Sequence, residues 1–382
     1  MKIFHIFFIL LLTGLVFWGS QQQIEKARQE AIIEASERLK LTRDIRIAQL
    51  NSELKTIYSE IRFWADSKVL TKGMQKMLIA WNELSADPKA RARQLYITDN
   101  PLYPNYTADY NKADDGSLYS ENHEILHHLL KGLTKRRGYY DVFLIANNGD
   151  VIYTVFKEDD FATNLLHGKY KDTTLAQGFR EVQDDTDLNH VSLFDYIAYA
   201  PSNNVPSSFI LTSVIDENNK TLGVLAFQLP VEPINAIISN ISNRMGLIEI
   251  LAVGENHLLR NRVNKVVIKT QIKSEAIDKA LRGKSGVEQL IDNKGKLTLT
   301  AYAPFEFSQN ILGKTKKNTW AIIVKKDMVE ILTPVDNKIK KWLSILAGLT
   351  FLSLLLAWLF VVRSKQDLRV TDRDSQVTSK NG

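Results

Sequence analysis

The sequence predicts an α+β chain in which two successive antiparallel-sheet modules ride on one long N-terminal helix and are flanked by two membrane-spanning helices. Three observations predict this. Charge-poor apolar runs lie near both ends of the chain. A polar, proline-free stretch with a helical apolar seam follows the first run. Between the runs, the order helix, hairpin, helix, antiparallel strands occurs twice.

Composition narrows the function classes. The 382 residues are enough for two or three domains. Apolar and charged fractions of 45% and 24% are ordinary for a globular protein and exclude wholesale disorder. A net charge of +6, with no basic stripe interleaved with aromatics, argues against a nucleic-acid partner, which needs clustered Lys and Arg on phosphates. Cysteine is absent, so disulfides, Cys-ligated zinc and a cysteine nucleophile are excluded together.

The first apolar run covers residues 3–19, after a two-residue N-terminus (1–2). Trp18 spoils the small-residue pattern of a signal-peptidase site, so the run reads as an uncleaved anchor. The second, residues 342–362, has no charge and is close to the ~20 residues that cross a bilayer as a helix. Trp342 and Trp358 lie near its ends, where indoles prefer the interface. Two spans put both termini on one side. The short Met1-Lys2 start favours the cytoplasm, with residues 20–341 outside a bacterial inner membrane and a polar cytoplasmic tail at 363–382.

Residues 20–70 read as a long helix. Ile47, Leu50, Leu54, Ile57, Ile61 and Trp64 recur at steps of three and four. That seam either packs on the chain's own domain or pairs with a second copy; as one helix, residues 21–70 would extend about 75 Å. Residues 71–240 form the first module. A Tyr-, Asn- and Asp-rich ordered loop at 95–120 precedes a helix at 121–136. Tyr140 to Ile145 and Val151 to Phe156 then flank Asn147-Asn148-Gly149-Asp150, a strong hairpin signal. A helix with Leu175, Phe179 and Val182 follows, then strands Val191 to Tyr199, Phe209 to Ile215 and Leu222 to Leu229, and a short helix from Ile234 to Ile241. The second module, 241–335, carries a strand at Leu247 to Leu251, a helix at Ser274 to Leu281 and a hairpin around Asn293-Lys294-Gly295. It closes with strands Thr298 to Pro304 and Trp320 to Val324. Residues 336–341 link it to the second span.

Gly138-Tyr-Tyr-Asp-Val-Phe-Leu-Ile and Gly149-Asp-Val-Ile-Tyr-Thr-Val-Phe-Lys-Glu-Asp-Asp-Phe-Ala-Thr-Asn-Leu carry a resemblance, as do Phe194-Asp-Tyr-Ile-Ala-Tyr-Ala-Pro-Ser and Gly223-Val-Leu-Ala-Phe-Gln-Leu-Pro. Together they resemble the sensor region of bacterial methyl-accepting chemotaxis receptors with a double Cache domain. The resemblance spans about residues 40–362. It implies two stacked PAS-like modules on a long stalk helix, a homodimer through that helix, and a small molecule bound in the membrane-distal module. By position in the pattern, Tyr140, Asp141, Tyr153, Phe156, Asp195, Tyr199 and Gln228 are the candidate ligand-binding residues. Asp141 and Asp195 weigh most, since a carboxylate in an apolar strand needs a partner. Two departures stand out. There is no Arg-x-Trp-Tyr signature, and Gln228 offers a neutral amide where amino-acid-binding members carry a carboxylate, which argues against an amine held by a salt bridge at that strand. Such receptors also continue into a HAMP relay and a signalling domain, whereas about 20 polar residues follow Val362. The expectation is a sensor, not an enzyme, with no cofactor, acting through a membrane partner that carries the output domain, or else a shortened receptor.

His123-Glu124-Ile125-Leu126-His127 matches the H-E-x-x-H pattern of zinc metalloproteases, with the imidazoles on one helix face and Glu124 as base. This is the competing reading. It needs a third ligand, for which Glu158 and Glu181 are candidates, because Leu130 and Leu133 occupy the positions of the extended motif's Gly and His. The bland alternative is the polar face of a helix, and the resemblance over most of the chain outweighs the motif.

Overall fold

The computed structural model describes residues 2–185, 187, 190–239, 241–243, 246–261, 271–311 and 314–378. The chain divides into two compact units, one of residues 39–243 and 247–325, the other of 1–38, 244–246 and 326–382.

The larger unit takes the C-terminal part of helix α1 (Lys2–Asp66), then α2 (Lys68–Leu84), α3 (Pro88–Arg93) and α4 (Leu118–Arg137). Strands β1 (Asp141–Ala146) and β2 (Val151–Thr154) form the hairpin. Gly149 adopts φ +84° in its turn, a conformation open to glycine. After α5 (Thr174–Asp184) come β3 (Val191–Tyr199), β4 (Val205–Ile215) and β5 (Thr221–Leu229). The five strands form one sheet in the order β2-β1-β5-β4-β3, with every pair given antiparallel.

Both faces of this sheet are covered, which is why its strands read as continuous apolar runs rather than alternating ones. Phe143, Ile145, Phe209, Leu211 and Ala226 pack under Leu175, Ala176, Phe179 and Val182 of α5. Gly178 permits that approach, because a Cβ there would lie 2.6 Å from Leu211 Cδ1. The alternate residues Val142, Leu144, Leu225 and Phe227 are equally buried, and α2 and α4 pack on β1, β2 and β5. Each such side chain contributes about 1.5–3 kcal/mol on leaving water.

A second sheet follows α6 (Glu232–Ile237). It contains β6 (Ile241–Asn243), β7 (Gly246–Gly254), β8 (Gly286–Ile291), β9 (Leu297–Ile311) and β10 (Lys314–Asp327), in the order β6-β7-β10-β9-β8, with α7 (Glu275–Leu281) between β7 and β8 in sequence. Leu251, Val253, Leu259, Ile277, Ala280, Tyr302, Ala321 and Ile323 form its core.

The heptad seam of α1 is spent inside this unit. Leu50 and Ile61 are wholly buried and Ile57 nearly so. Leu50, Leu54 and Ile57 share a cavity of about 30 Å³ with Leu193, Phe194, Phe305, Phe307 and Trp320. The seam therefore packs on the chain's own sheets, the first of the two alternatives the sequence leaves open. Apolar strand residues of the same chain desolvate it first.

In the smaller unit, α1 pairs with α8 (Met328–Thr378). Arg28 donates to Asp336 Oδ1 from Nε (3.1 Å) and Nη2 (2.8 Å). Ile24, Ala27 and Ala31 of α1 line a groove with Val335, Ile339 and Trp342. Residues 328–356 of α8 are long and apolar enough to cross a membrane, and Trp342, Leu349 and Phe351 are exposed. Residues 3–19 are helical within α1, but the side chains of 3–17 lie outside the described residues, as do those of 364–382.

Candidate ligand site

At the β1 and β5 edge of the face covered by α5, polar side chains replace the hydrocarbon. Register places Asp141 opposite Gln228, and Gln228 opposite Phe209, so the three lie in one row across β1, β5 and β4. Beyond β2, Lys157 and Ala162 both take φ +54°, which turns the chain back along the strand. Ala162 N–H donates to the Val151 carbonyl (3.1 Å), and Val151 N–H to that of Thr163 (2.9 Å). This return carries Glu158 and Asp160 to the cluster, where Tyr199 OH meets Asp160.

The hydrogen bonds decide what the cluster can hold. Asp141 Oδ1 accepts from the backbone N–H groups of Val142 (2.7 Å), Val155 (2.7 Å) and Phe156 (3.3 Å). Tyr199 OH donates to Asp160 Oδ2 (2.6 Å). Tyr140 OH donates to Glu158 Oε1 (2.6 Å), and Ser202 Oγ to Glu158 Oε2 (2.5 Å). Ser207 Oγ donates to the Val205 carbonyl (3.2 Å). Both serines have thus spent their single hydrogens and can only accept from Gln228. That fixes the amide: Nε2 faces Ser202 (3.2 Å) and Ser207 (2.8 Å), and Oε1 is left over. Gln228 Oε1 and Asp160 Oδ1 are both buried without a partner. A buried polar atom left so costs about 1–3 kcal/mol, and here two acceptors are left in one cluster.

The same atoms are electrostatically strained. Burial, followed by the charges of Asp160 and Glu158, holds the Asp141 carboxyl well above the usual carboxylate range. Burial raises Glu158 as well and pushes Asp160 up to about 7. The nearby cation, Lys157, is turned away: its Nζ donates to the carbonyls of Thr154 (3.1 Å) and Val155 (3.2 Å). It lies 5.6 Å and 5.4 Å from the ring centroids of Tyr96 and Tyr153, and burial brings its ammonium down to about 7. Tyr140 and Phe156 stack at 5.5 Å, both more than a third exposed, and give the cluster an aromatic outer wall.

Of the seven residues expected from sequence, the structure brings Tyr140, Asp141, Tyr199 and Gln228 into this cluster, with Phe156 on its wall. Tyr153 lies elsewhere, its hydroxyl bonded to His127 Nδ1 at 2.8 Å. Asp195 is also elsewhere. A register shift in β3 between Phe194 and Ile197 re-aims it. Its carboxylate accepts from Arg260 Nε (2.9 Å) and Nη2 (2.6 Å) and from Trp320 Nε1 (3.0 Å), tying β3 to the second sheet. Sequence reasoning did not choose Glu158 as a ligand contact or Asp160 and Ser202 at all. No local pattern marks the run Lys157-Glu158-Asp159-Asp160 as a site, and only its return along β2 buries Asp160 and half-buries Glu158.

The H-E-x-x-H residues belong to a different cluster. His123 and His127 stack at 4.9 Å, and both are buried. His127 uses both nitrogens, Nδ1 on Tyr153 OH and Nε2 on the Ala108 carbonyl (2.8 Å), and His123 Nδ1 meets the Asn111 carbonyl (2.7 Å). Burial and the Lys157 charge keep His123 neutral and bring His127 down to about 2. Glu124 faces outward to Lys112 (3.5 Å). Glu181 is bonded by Ser192 Oγ (2.8 Å) and Glu158 by Tyr140, so neither candidate joins the histidines. Among the described residues no three His, Cys, Asp or Glu side chains are placed to hold one metal ion.

No protein-family model matches the sequence, and no curated protein matches it. Solved structures do. The chain is similar to the ligand-binding domain of the Pseudomonas fluorescens chemoreceptor CtaA in complex with L-leucine, at 12% identity and a TM-score of 0.40, over 81% of this chain and 97% of that one. It is similar to the ligand-binding domain of the Campylobacter jejuni chemoreceptor Tlp3 in complex with L-valine, at 12% identity and a TM-score of 0.44, over 80% and 97%. It is also similar to the ligand-binding domain of the Pseudomonas aeruginosa amino acid chemoreceptor PctB in complex with L-Arg, at 13% identity and a TM-score of 0.36, over 53% and 78%.

Proposed function

We propose that this chain is a membrane-anchored sensor that binds a small molecule in its first sheet module and relays occupancy toward the membrane. The binding residues are Tyr140, Asp141, Tyr199 and Gln228, joined by Glu158, Asp160 and Ser202. One observation carries the reading: two acceptors, Gln228 Oε1 and Asp160 Oδ1, are buried and unspent beside carboxyls that burial and mutual repulsion push up. A folded core gains nothing from such atoms, whereas a ligand that supplies their partners recovers the cost. The apolar helix at 328–356 supports an anchor, with residues 20–341 on the outer face of an inner membrane. Occupancy would act along β3, which carries Tyr199 at the site and Asp195 at the contact with Arg260 and Trp320. The ligand biases the resting arrangement only by its differential affinity for the two states. Leu41 and Ile45, exposed on α1, offer a face for a second copy in place of the buried seam.

A metabolite screen by thermal shift on the full chain in detergent tests the site. A ligand that binds the folded state alone raises the melting temperature, and Gln228→Leu should abolish the rise. Absence of any stabilising compound removes the sensor reading. Protease added to spheroplasts should digest the central region; digestion only in inverted vesicles would overturn the topology.

A further inference from the structure

Resting on that site, we infer that the ligand is a cationic amine without a carboxylate, which presents N–H donors to Glu158, Asp160 and Gln228. The donor ledger requires this. The hydroxyls of Tyr140, Tyr199 and Ser202 already donate into the carboxyls of Glu158 and Asp160, and Ser207 donates to a carbonyl. Gln228 Nε2 is held between two serines. What the site has left to offer is acceptors. An ammonium group carries three donors and no acceptor, the complement of that surplus.

Charge agrees with hydrogen bonding. Asp141, Glu158 and Asp160 act on one another as like charges, and the Lys157 ammonium, which feels the Asp141 charge, gives its hydrogens to two carbonyls and not to the carboxyls. A bound cation removes that repulsion, whereas a carboxylate would add to it. Arg93, at the end of α3 against the returning loop, is also committed, its Nη1 donating to the carbonyls of Asp159 (3.1 Å) and Phe161 (2.8 Å). The stacked faces of Tyr140 and Phe156 suit a cation further, since aromatic faces attract positive charge. The neutral Gln228 does not argue against an amine, because the carboxylates that replace an acid at that strand come from the loop after β2.

The test titrates the full chain in detergent with propylamine, 1,4-diaminobutane, L-alanine and succinate, by calorimetry and thermal shift, in the unaltered chain and in Glu158→Gln and Asp160→Asn. One or both amines should bind and raise the melting temperature, L-alanine and succinate should not, and each variant should weaken the amine by about tenfold or more. Binding of L-alanine or succinate that is lost in the same variants would overturn the amine class while leaving the site. Binding unaffected by either variant, or none of the four compounds binding, would overturn the proposal, and the broader metabolite screen with Gln228→Leu then decides whether the site itself survives. The ligand-class comparison uses the unaltered chain, so it stands even if a variant fails to fold.

Discussion

The two sheets of the larger unit each have five strands, yet they treat buried polar groups in opposite ways. In the second sheet, buried polar groups are matched. Lys325 Nζ meets Asp292 (2.8 Å), Glu249 (3.2 Å) and Asn293 (3.3 Å). Asn261 accepts from Ala252 N–H (3.0 Å) and donates to the carbonyls of Ile238 and Ile250 (3.1 Å each). Among the described residues of 247–325, no buried side-chain polar atom lacks a partner. The first sheet keeps two acceptors unspent at one edge of its core. The difference separates a module built for cohesion from one that retains unused bonding capacity, and that capacity is what a ligand site requires.

The largest effect should come from breaking the matched side. Lys325→Met leaves Asp292 without its cation and Glu249 with only the exposed Lys294 (3.4 Å), and should cost about 3–5 kcal/mol in chemical denaturation. A loss under 1 kcal/mol would mean that the second sheet is not held in this way. Next, Gly254→Ala should cost about 1–3 kcal/mol. Its Cβ would lie 2.1 Å from Arg260 Nη2 and 2.4 Å from Cζ, so the guanidinium must leave Asp195. Asp195→Asn combined with it should add little, since both act on one contact.

The unspent side should respond to pH instead. Asp160 has a folded-state value near 7 against 3.8 ordinarily, so between about pH 4 and 7 the folded chain holds a proton that the unfolded chain has lost. Stability of the ligand-free protein should therefore fall as pH rises through that window, with Asp141 and Glu158 acting in the same direction. Lys157, brought down to about 7 from 10.5, acts oppositely above pH 7, where the unfolded chain holds the extra proton and stability recovers. Asp160→Asn should flatten the acid limb and stabilise the free protein at pH 7 by about 1 kcal/mol or more. Melting temperatures across pH 4–9 measure this, and a variant that follows the parent would break the comparison. The smallest effect is expected at His123→Leu, about 1 kcal/mol, because the lost Nδ1 bond to the Asn111 carbonyl is partly offset by removal of the buried, unpartnered Nε2. Stoichiometric zinc in the parent, lost in this variant, would restore the metalloprotease reading.

The sequence alone determined the strand-level architecture. Uninterrupted β-rich runs such as Val191–Tyr199 and turn chemistry such as Asn148-Gly149 act over a few residues, and the structure forms those elements where the pattern places them. Helix α2 was not read from the sequence, and the strands β9 and β10 run longer than their apolar cores suggested. The family resemblance also named Asp141, Tyr199 and Gln228, which stand on strands whose neighbours are apolar. Only the tertiary structure decided the partners. Whether the α1 seam meets its own sheets or a second copy, whether Asp195 faces a ligand or Arg260, and whether Glu158 and Asp160 are solvated or buried all depend on surfaces far away in sequence. Desolvation is set by what covers a group, and a sequence records the group but not its cover.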